Sequence, residues 1–247
     1  MARLAAIVFD LHGTLVRQTR DARSHMACAY AAWTVRDLPT GFDEFCSAWR
    51  RVEGEYHQRG SKGASLLAEG RRDEAEEALR EYSLHHHVRR VGEILNAICT
   101  DSQVDETVEG FQKSWMNGLE IPDWTIPLLD RLSAQGSLGL VTNFRDGPRL
   151  REWLGQNGLG RAFGSCVVIS EEIGLRKPHP KLLEAALQRL HVADVSQCLF
   201  VGDDPIEDVM CGRIAGIRTI LVGQQAGAGS VEIVESVDRI ESVLDLG

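Results

Sequence analysis

An α/β fold built on a parallel sheet and interrupted by a long helical insertion is the class this sequence predicts. Three observations carry the prediction. Short apolar runs recur between amphipathic segments from about residue 120 onward. Residues from about Val16 to Gly118 show apolar side chains at helical spacing and no convincing strand. Polar and acidic residues follow the apolar runs directly, where an open α/β sheet places its chemistry.

The first strand is the run Leu4-Ala5-Ala6-Ile7-Val8-Phe9, which ends in Asp10-Leu11-His12-Gly13-Thr14-Leu15. The helical region follows. Met26, Tyr30 and Trp33 recur at helical spacing, as do Phe42, Phe45 and Trp49. Asp43 and Glu44 stand early in the second of these segments, where the helix dipole favours acids. Gly60-Ser61-Lys62-Gly63 is expected to break the pattern. A charged stretch from Arg71 to Arg80 leads into a helical segment ending near Ile98, and Asp105 to Met116 forms another.

Four further apolar runs come after it: Leu138 to Thr142, Val167 to Ile169, Leu199 to Val201, and Thr219 to Val222. Helical segments around Ile126–Ala134, Arg149–Gly155, Lys181–Leu190 and Asp208–Ala215 precede or separate them. Short, wholly apolar strands joined by helices indicate a parallel sheet covered on both faces. The chain is therefore expected to divide into a discontinuous core, 1–15 and 119–247, and a helical cap, 16–118, inserted after the first strand.

A chain of 247 residues with 43% apolar content can bury a proper core, which excludes a disordered protein. Its net charge of −9 argues against general binding to nucleic acid or an anionic membrane. An anionic small substrate stays open, because a metal and a few local cations can invert the field at one site. The six cysteines form no CxxC pair and have no zinc-like His spacing, so they read as reduced thiols. No apolar stretch approaches a membrane span, and the first apolar run ends in Asp10, unlike a signal peptide. A cytoplasmic location is expected. Gly223 to Gly229 lacks the lysine and the following helix of a phosphate-binding loop and reads as a surface turn.

Chemistry-bearing residues sit at each strand end. Asp10 follows the first. Thr142 and Asn143 follow the second, a hydroxyl that can donate to a phosphoryl oxygen and an amide that can orient neighbours. Lys177, in Gly174-Leu175-Arg176-Lys177-Pro178-His179-Pro180, follows the third and can neutralise a phosphate and a carboxylate. Gly202-Asp203-Asp204 and Asp208 follow the fourth, and clustered carboxylates suit Mg²⁺. Taken singly, each is an ordinary turn, cap or loop. Their order and placement are what carry meaning.

In that order the four elements resemble the four motifs of the haloacid dehalogenase-like hydrolases. The resemblance covers residues 1–15 and about 119–247, and the run Phe200 to Ile220 is especially similar to the family's metal motif. The long helical insertion resembles the cap of the phosphoglycolate phosphatase and β-phosphoglucomutase branch. The resemblance implies a Rossmann-like sheet of five parallel strands, with the first central and the fourth beside it. It implies Asp10 as nucleophile, forming an aspartyl-phosphate. It implies Mg²⁺ held by Asp10, the His12 carbonyl and Asp203, with Asp208 and Asp204 completing the shell. Thr142 and Lys177 would hold the transferring phosphoryl group.

One position departs from the family. The motif usually reads Asp-x-Asp-Gly-Thr, and here the second Asp is His12. The backbone carbonyl survives any substitution, whereas the side-chain role does not. Imidazole can serve as general acid and base near neutral pH, giving a working phosphatase. Two alternatives stand beside this one. One is a catalytically weak binder or regulator of phosphorylated ligands. The other is a 2-haloacid dehalogenase-like hydrolase, a branch that also lacks Asp at this position but lacks the Gly-Asp-Asp motif too.

Arg59 and Lys62, read as a cap turn around Gly60, and Arg145, three residues past Thr142, are candidate substrate contacts; an exposed basic residue is the plain alternative for each. His85-His86-His87 point three ways on a helix and make no chelate by themselves. A small phosphorylated substrate is the expected partner.

Overall fold

The computed structural model describes residues 4–33, 40–223 and 232–244. The chain forms two compact units: Met1–Arg17, Lys62–Glu81 and Ile121–Gly247 make one, Gln18–Ser61 and Tyr82–Glu120 the other. Among the described residues eight strands are numbered in chain order: β1 (Ala6–Phe9), β2 (Arg17–Gln18), β3 (Leu119–Glu120), β4 (Ser137–Thr142), β5 (Val167–Ile169), β6 (Cys198–Gly202), β7 (Arg218–Val222) and β8 (Glu232–Val234).

In the first unit, six of them form a parallel sheet in the order β5-β4-β1-β6-β7-β8. Successive side chains of β1 point to opposite faces. Ala6 and Val8 join a core with Val141, Val168, Phe200 and the helix Lys181–Arg189, which contributes Leu182, Leu183 and Ala186. Ile7 and Phe9, on the other face, are equally closed to solvent. The helix Thr125–Ser133 packs on β4 and buries Leu128, Leu129 and Leu132. Burial on both faces is why the strands read as unbroken apolar runs. Each such large apolar side chain contributes about 1.5–3 kcal/mol on burial.

The sheet has six strands where five were expected, with β1 central and β6 beside it as expected. The extra strand, β8, is an edge of three residues of which only Val234 is buried, too short a pattern to register in the sequence.

The second unit is helical. Helices Ala22–Ala32, Leu84–Ile94, Asp101–Met116 and the first part of Phe42–Ala68 enclose Met26, Phe45, Trp49, Val88, Val91, Val104 and Val108. Side-chain caps begin three of them: Asp21 accepts from Ser24 N–H, Ser83 from His86 N–H, and Thr100 pairs reciprocally with Gln103. That Thr-x-x-Gln box starts the helix Asp101–Met116 four residues before the start read from apolar spacing. The three histidines diverge: His85 lies 3.3 Å from Asp105, His86 stacks on Tyr82, and His87 is buried against Trp49.

Two expectations for the insertion are corrected. Gly60–Gly63 does not break the helix, which runs unbroken from Phe42 to Ala68. Gly63 is buried and lies against Leu79, so the glycine serves close packing. The charged stretch after Arg71 leads into the helix Leu84–Ile94 as expected. It forms Arg72–Ala78, then an extended segment where Arg80 bridges Leu175 and Arg176 N–H donates to Leu79 C=O at 3.0 Å. Those bonds place Lys62–Glu81 in the unit that holds the sheet, whereas the sequence division assigned them to the cap. The Gly-rich turn at 224–229 lies outside the described residues.

Candidate active site

Sheet register sets the site. Phe9 of β1 is level with Leu140 of β4 and Val201 of β6. Asp10, one residue on, and Thr142 and Asp203, two residues on, therefore emerge at one end of three adjacent strands. Asp10 N–H donates to Val201 C=O at 2.8 Å, which extends the ladder one residue and fixes the carboxylate. Thr142 is buried as the last residue of β4.

Lys177 reaches this end from the loop after β5. Its Nζ donates to Asp10 Oδ1 at 2.5 Å and to Asp208 Oδ1 at 2.6 Å, and its side chain is 2% exposed. Burial disfavours the ammonium, but the two carboxylates outweigh burial and hold its pKa above the ordinary amine range. Lys177 stays charged.

Asp208 is equally closed to solvent, with Oδ1 on Lys177 and Oδ2 accepting from the N–H groups of Asp203 and Asp204 at 3.0 Å each. Gly202 has no side chain because a Cβ there would lie 2.3 Å from the Asp208 carboxylate. Asp203 accepts from Thr14 Oγ1 at 3.3 Å. Gly13 adopts a φ of +86°, and a Cβ on it would meet Asp203 Oδ2 at 2.1 Å. The Gly-Thr turn thus exists to let Asp203 approach β1.

Oxygens of Asp10, Asp203 and Asp208 lie within 4.8 Å of one another. Burial raises the pKa of all three, Lys177 opposes the rise, and a neighbouring carboxylate adds to it in each case; Asp203 is pushed up to about 6. Three crowded acids facing one ammonium are short of positive charge. An all-oxygen donor set of this kind fits a hard divalent cation. Beside Asp203 opens a cavity of about 340 Å³, lined among others by Thr14, Arg17, Trp124 and Glu235.

Other expected residues take different places. Asp204 does not join the triad: its Oδ1 accepts from Ile206 and Glu207 N–H at 2.7 Å each, capping the short helical turn Pro205–Met210. Geometry decides this, since the Asp204 carboxylate folds back onto its own turn. Asn143 Oδ1 accepts from Lys177 N–H at 2.8 Å, and Nδ2 donates to Glu207 at 2.8 Å, so its amide is engaged by protein rather than held for substrate. His12 is exposed on the loop after Asp10, where partial desolvation lowers its imidazole pKa. Arg145 is half-buried in the loop after β4. Arg59 and Lys62 stand on a helix rather than a turn: Arg59 covers the ring of Tyr82 at 4.2 Å in the helical unit, and Lys62 is exposed in the sheet unit.

The sequence reading missed two contributors. Thr14 was seen only as part of a turn, although a hydroxyl right after Gly13 was a signal. Glu207 is the other, and no local pattern in the sequence marks it out.

A parallel sheet that gathers an acidic triad and a buried lysine at one end of its central strands defines a Rossmann-like α/β protein with a carboxylate–lysine centre. The chain belongs to the haloacid dehalogenase-like hydrolase family, whose profile matches residues 4–216. It is 31% identical over 125 residues to the pyrimidine 5′-nucleotidase YjjG of Escherichia coli, a match covering 48% of this chain and 54% of that protein. It is 32% identical over 154 residues to the glyceraldehyde 3-phosphate phosphatase of Methanopyrus kandleri, covering 60% of this chain and 64% of that one. The chain thus spans less than two thirds of the length of either relative. The fold is also that of a 2-haloacid dehalogenase from Pseudomonas syringae, with a TM-score of 0.63, 21% identity, and coverage of 98% of this chain and 99% of that one.

Proposed function

We propose that this protein is a Mg²⁺-dependent phosphatase of a small phosphorylated metabolite, acting through an aspartyl-phosphate on Asp10. The observation that carries the reading is the buried contact of Lys177 with Asp10 and Asp208, beside Asp203. An anionic nucleophile must meet an anionic phosphate, and positive charge at that point lowers the barrier. The names of the two relatives, a pyrimidine 5′-nucleotidase and a glyceraldehyde 3-phosphate phosphatase, support it.

In this reading the Asp10 carboxylate attacks phosphorus in line, and the ester P–O bond breaks. His12 gives a proton to the departing alcohol oxygen. Water then attacks phosphorus, His12 takes its proton, and the bond to Asp10 breaks to release phosphate. Thr142 and Lys177 hold the phosphoryl oxygens. Asp10, Asp203 and the His12 carbonyl would hold Mg²⁺, which when bound supplies charge for the phosphoryl oxygens. Asp208 fixes Lys177 and the backbone of Asp203. The helical unit is read as the cap. No helix among the described residues is long and apolar enough to cross a membrane. The six free cysteines suit a reducing compartment, and we place the enzyme in the cytoplasm.

The test is phosphate release from a panel of small phosphate esters, with Mg²⁺ or chelator, and with Asp10→Asn as the blank. Metal-dependent release that vanishes in Asp10→Asn is expected. Halide release that survives chelation would replace the reading with a dehalogenase. Tight phosphate binding without turnover would replace it with a binder. For His12, aryl and alkyl esters separate the roles. His12→Ala should slow alkyl esters by about 10²-fold and aryl esters less, because a good leaving group needs no acid. An equal effect on both would remove His12 from the proton transfer.

A further inference from the structure

The short turn that supplies Asp208 also supplies Glu207, and the two neighbouring acids grip the same lysine by different parts. Asp208 takes the Lys177 ammonium at 2.6 Å. Glu207 Oε2 accepts from Asn143 Nδ2 at 2.8 Å. The same Asn143 receives the Lys177 N–H on Oδ1 at 2.8 Å and reaches the Lys177 carbonyl through Nδ2 at 3.4 Å. Glu207 Oε1 meanwhile pairs with Arg176, the residue before Lys177, whose side chain is 5% exposed. The turn can present both acids to one loop because it is wide: Val209 N–H reaches back five residues to Asp204 C=O.

We infer that Glu207 is a positioning residue: through Asn143 and Arg176 it clamps the backbone of the Lys177 loop, and so sets where the ammonium meets Asp10. Lys177 is long and flexible, and an unanchored lysine loses rotamer freedom each time it must reach its place. With backbone and head both held by one six-residue turn, movement of the loop would have to break charged, partly buried bonds at two points. Arg176 pairs with Glu207, and the Glu207 carboxylate also adds, after Asp10 and Asp208, to the charges that favour the Lys177 ammonium. The effect on rate rests on the phosphatase reading; the clamp itself does not.

The experiment combines residue-resolved amide exchange with kinetics on Glu207→Ala, Glu207→Gln, Asn143→Ala and Glu207→Ala/Asn143→Ala. In Glu207→Ala the Lys177 amide should exchange about tenfold faster while β1 amides keep their wild-type rates. Glu207→Gln keeps an oxygen for Asn143 and should restore most of the protection. Once Asn143 is gone, adding Glu207→Ala should change Lys177 exchange by less than it does in the wild type, since only the route through Arg176 remains to be lost. Turnover should show kcat down about tenfold with KM nearly constant. Unchanged Lys177 exchange in Glu207→Ala would overturn the inference. So would uniform acceleration of all amides, which marks general destabilisation, or additive effects of the two substitutions. Absence of phosphate release from the wild-type chain would refute the phosphatase reading alone, because exchange still decides the clamp.

Discussion

Lys177 Nζ donates to Asp10 Oδ1 at 2.5 Å, and both side chains are shut off from solvent. The pair joins two loops 167 residues apart in sequence, and Asp208 completes it from a third. Buried ions are held by each other, and removing one member strands the rest. Lys177→Met should therefore lower the unfolding free energy by about 3–5 kcal/mol in chelator at neutral pH. Adding Asp208→Asn should recover part of the loss, because one stranded charge disappears. Urea denaturation of both variants is the check, and a Lys177→Met protein as stable as wild type would contradict the account.

Asp203 and Asp204 are adjacent acids with separate work. Asp204→Ala removes the cap on two N–H groups and should cost about 1 kcal/mol of stability, with Mg²⁺ affinity changed less than about twofold. Asp203→Asn should weaken Mg²⁺ by about tenfold or more. Calorimetric titration gives the affinities. Thermal shifts give a second measure, since a cation at ten times its Kd stabilises by about 1.4 kcal/mol. Equal loss of affinity in both variants would return Asp204 to the ligand set.

Two glycines of the helix Phe42–Ala68 stand in opposite surroundings. A Cβ on Gly54 meets nothing within 4 Å, while one on Gly63 lies 2.4 Å from Leu79 Cγ. Gly54→Ala should stabilise by about 0.5–1 kcal/mol through helix propensity. Gly63→Ala should destabilise by about 1–3 kcal/mol through overpacking. Paired melting curves decide it, and a stabilising Gly63→Ala would restore the view of that glycine as a simple helix breaker.

His25 of the helical unit is 1% exposed, packs against Phe111 and Trp115, and has Nδ1 3.1 Å from Ser114 Oγ. Burial is the main cause that lowers its pKa, so the folded state holds it neutral. The unfolded chain takes up the proton as pH falls through about 6.5, so this stability is present above that value and lost below it. Between pH 7 and 5 the wild type should lose stability at up to about 1.4 kcal/mol per pH unit from this group, and His25→Gln should flatten the slope. Denaturant midpoints at several pH values test this, and parallel slopes would exclude His25 as the cause.

Much of the fold was legible because burial on both faces leaves a plain mark, an unbroken apolar run ending in a polar residue. Asp10, Lys177, Asp203 and Asp208, which the structure brings together, all follow such runs in the sequence. Asp204 turns back onto its own backbone while Asp203 joins the triad, because two adjacent acids look alike in sequence and differ only in which way the turn folds them. Glu207 went unnoticed for a similar reason: its partners, Asn143 and Arg176, are 64 and 31 residues away.

The sequence by itself determined the alternation of strands and helices, the helical insertion and the strand ends that carry the chemistry. Each of these depends on local period and on which residues avoid water. Only the tertiary structure decided that Lys62–Glu81 joins the sheet unit, through Arg80 opposite Leu175 and Arg176 on Leu79. It alone decided that Asp204 caps while Asp203 faces the triad, and that Glu207 reaches the Lys177 loop. An amphipathic pattern records that a face is buried, but the partner that buries it is chosen by packing between distant segments.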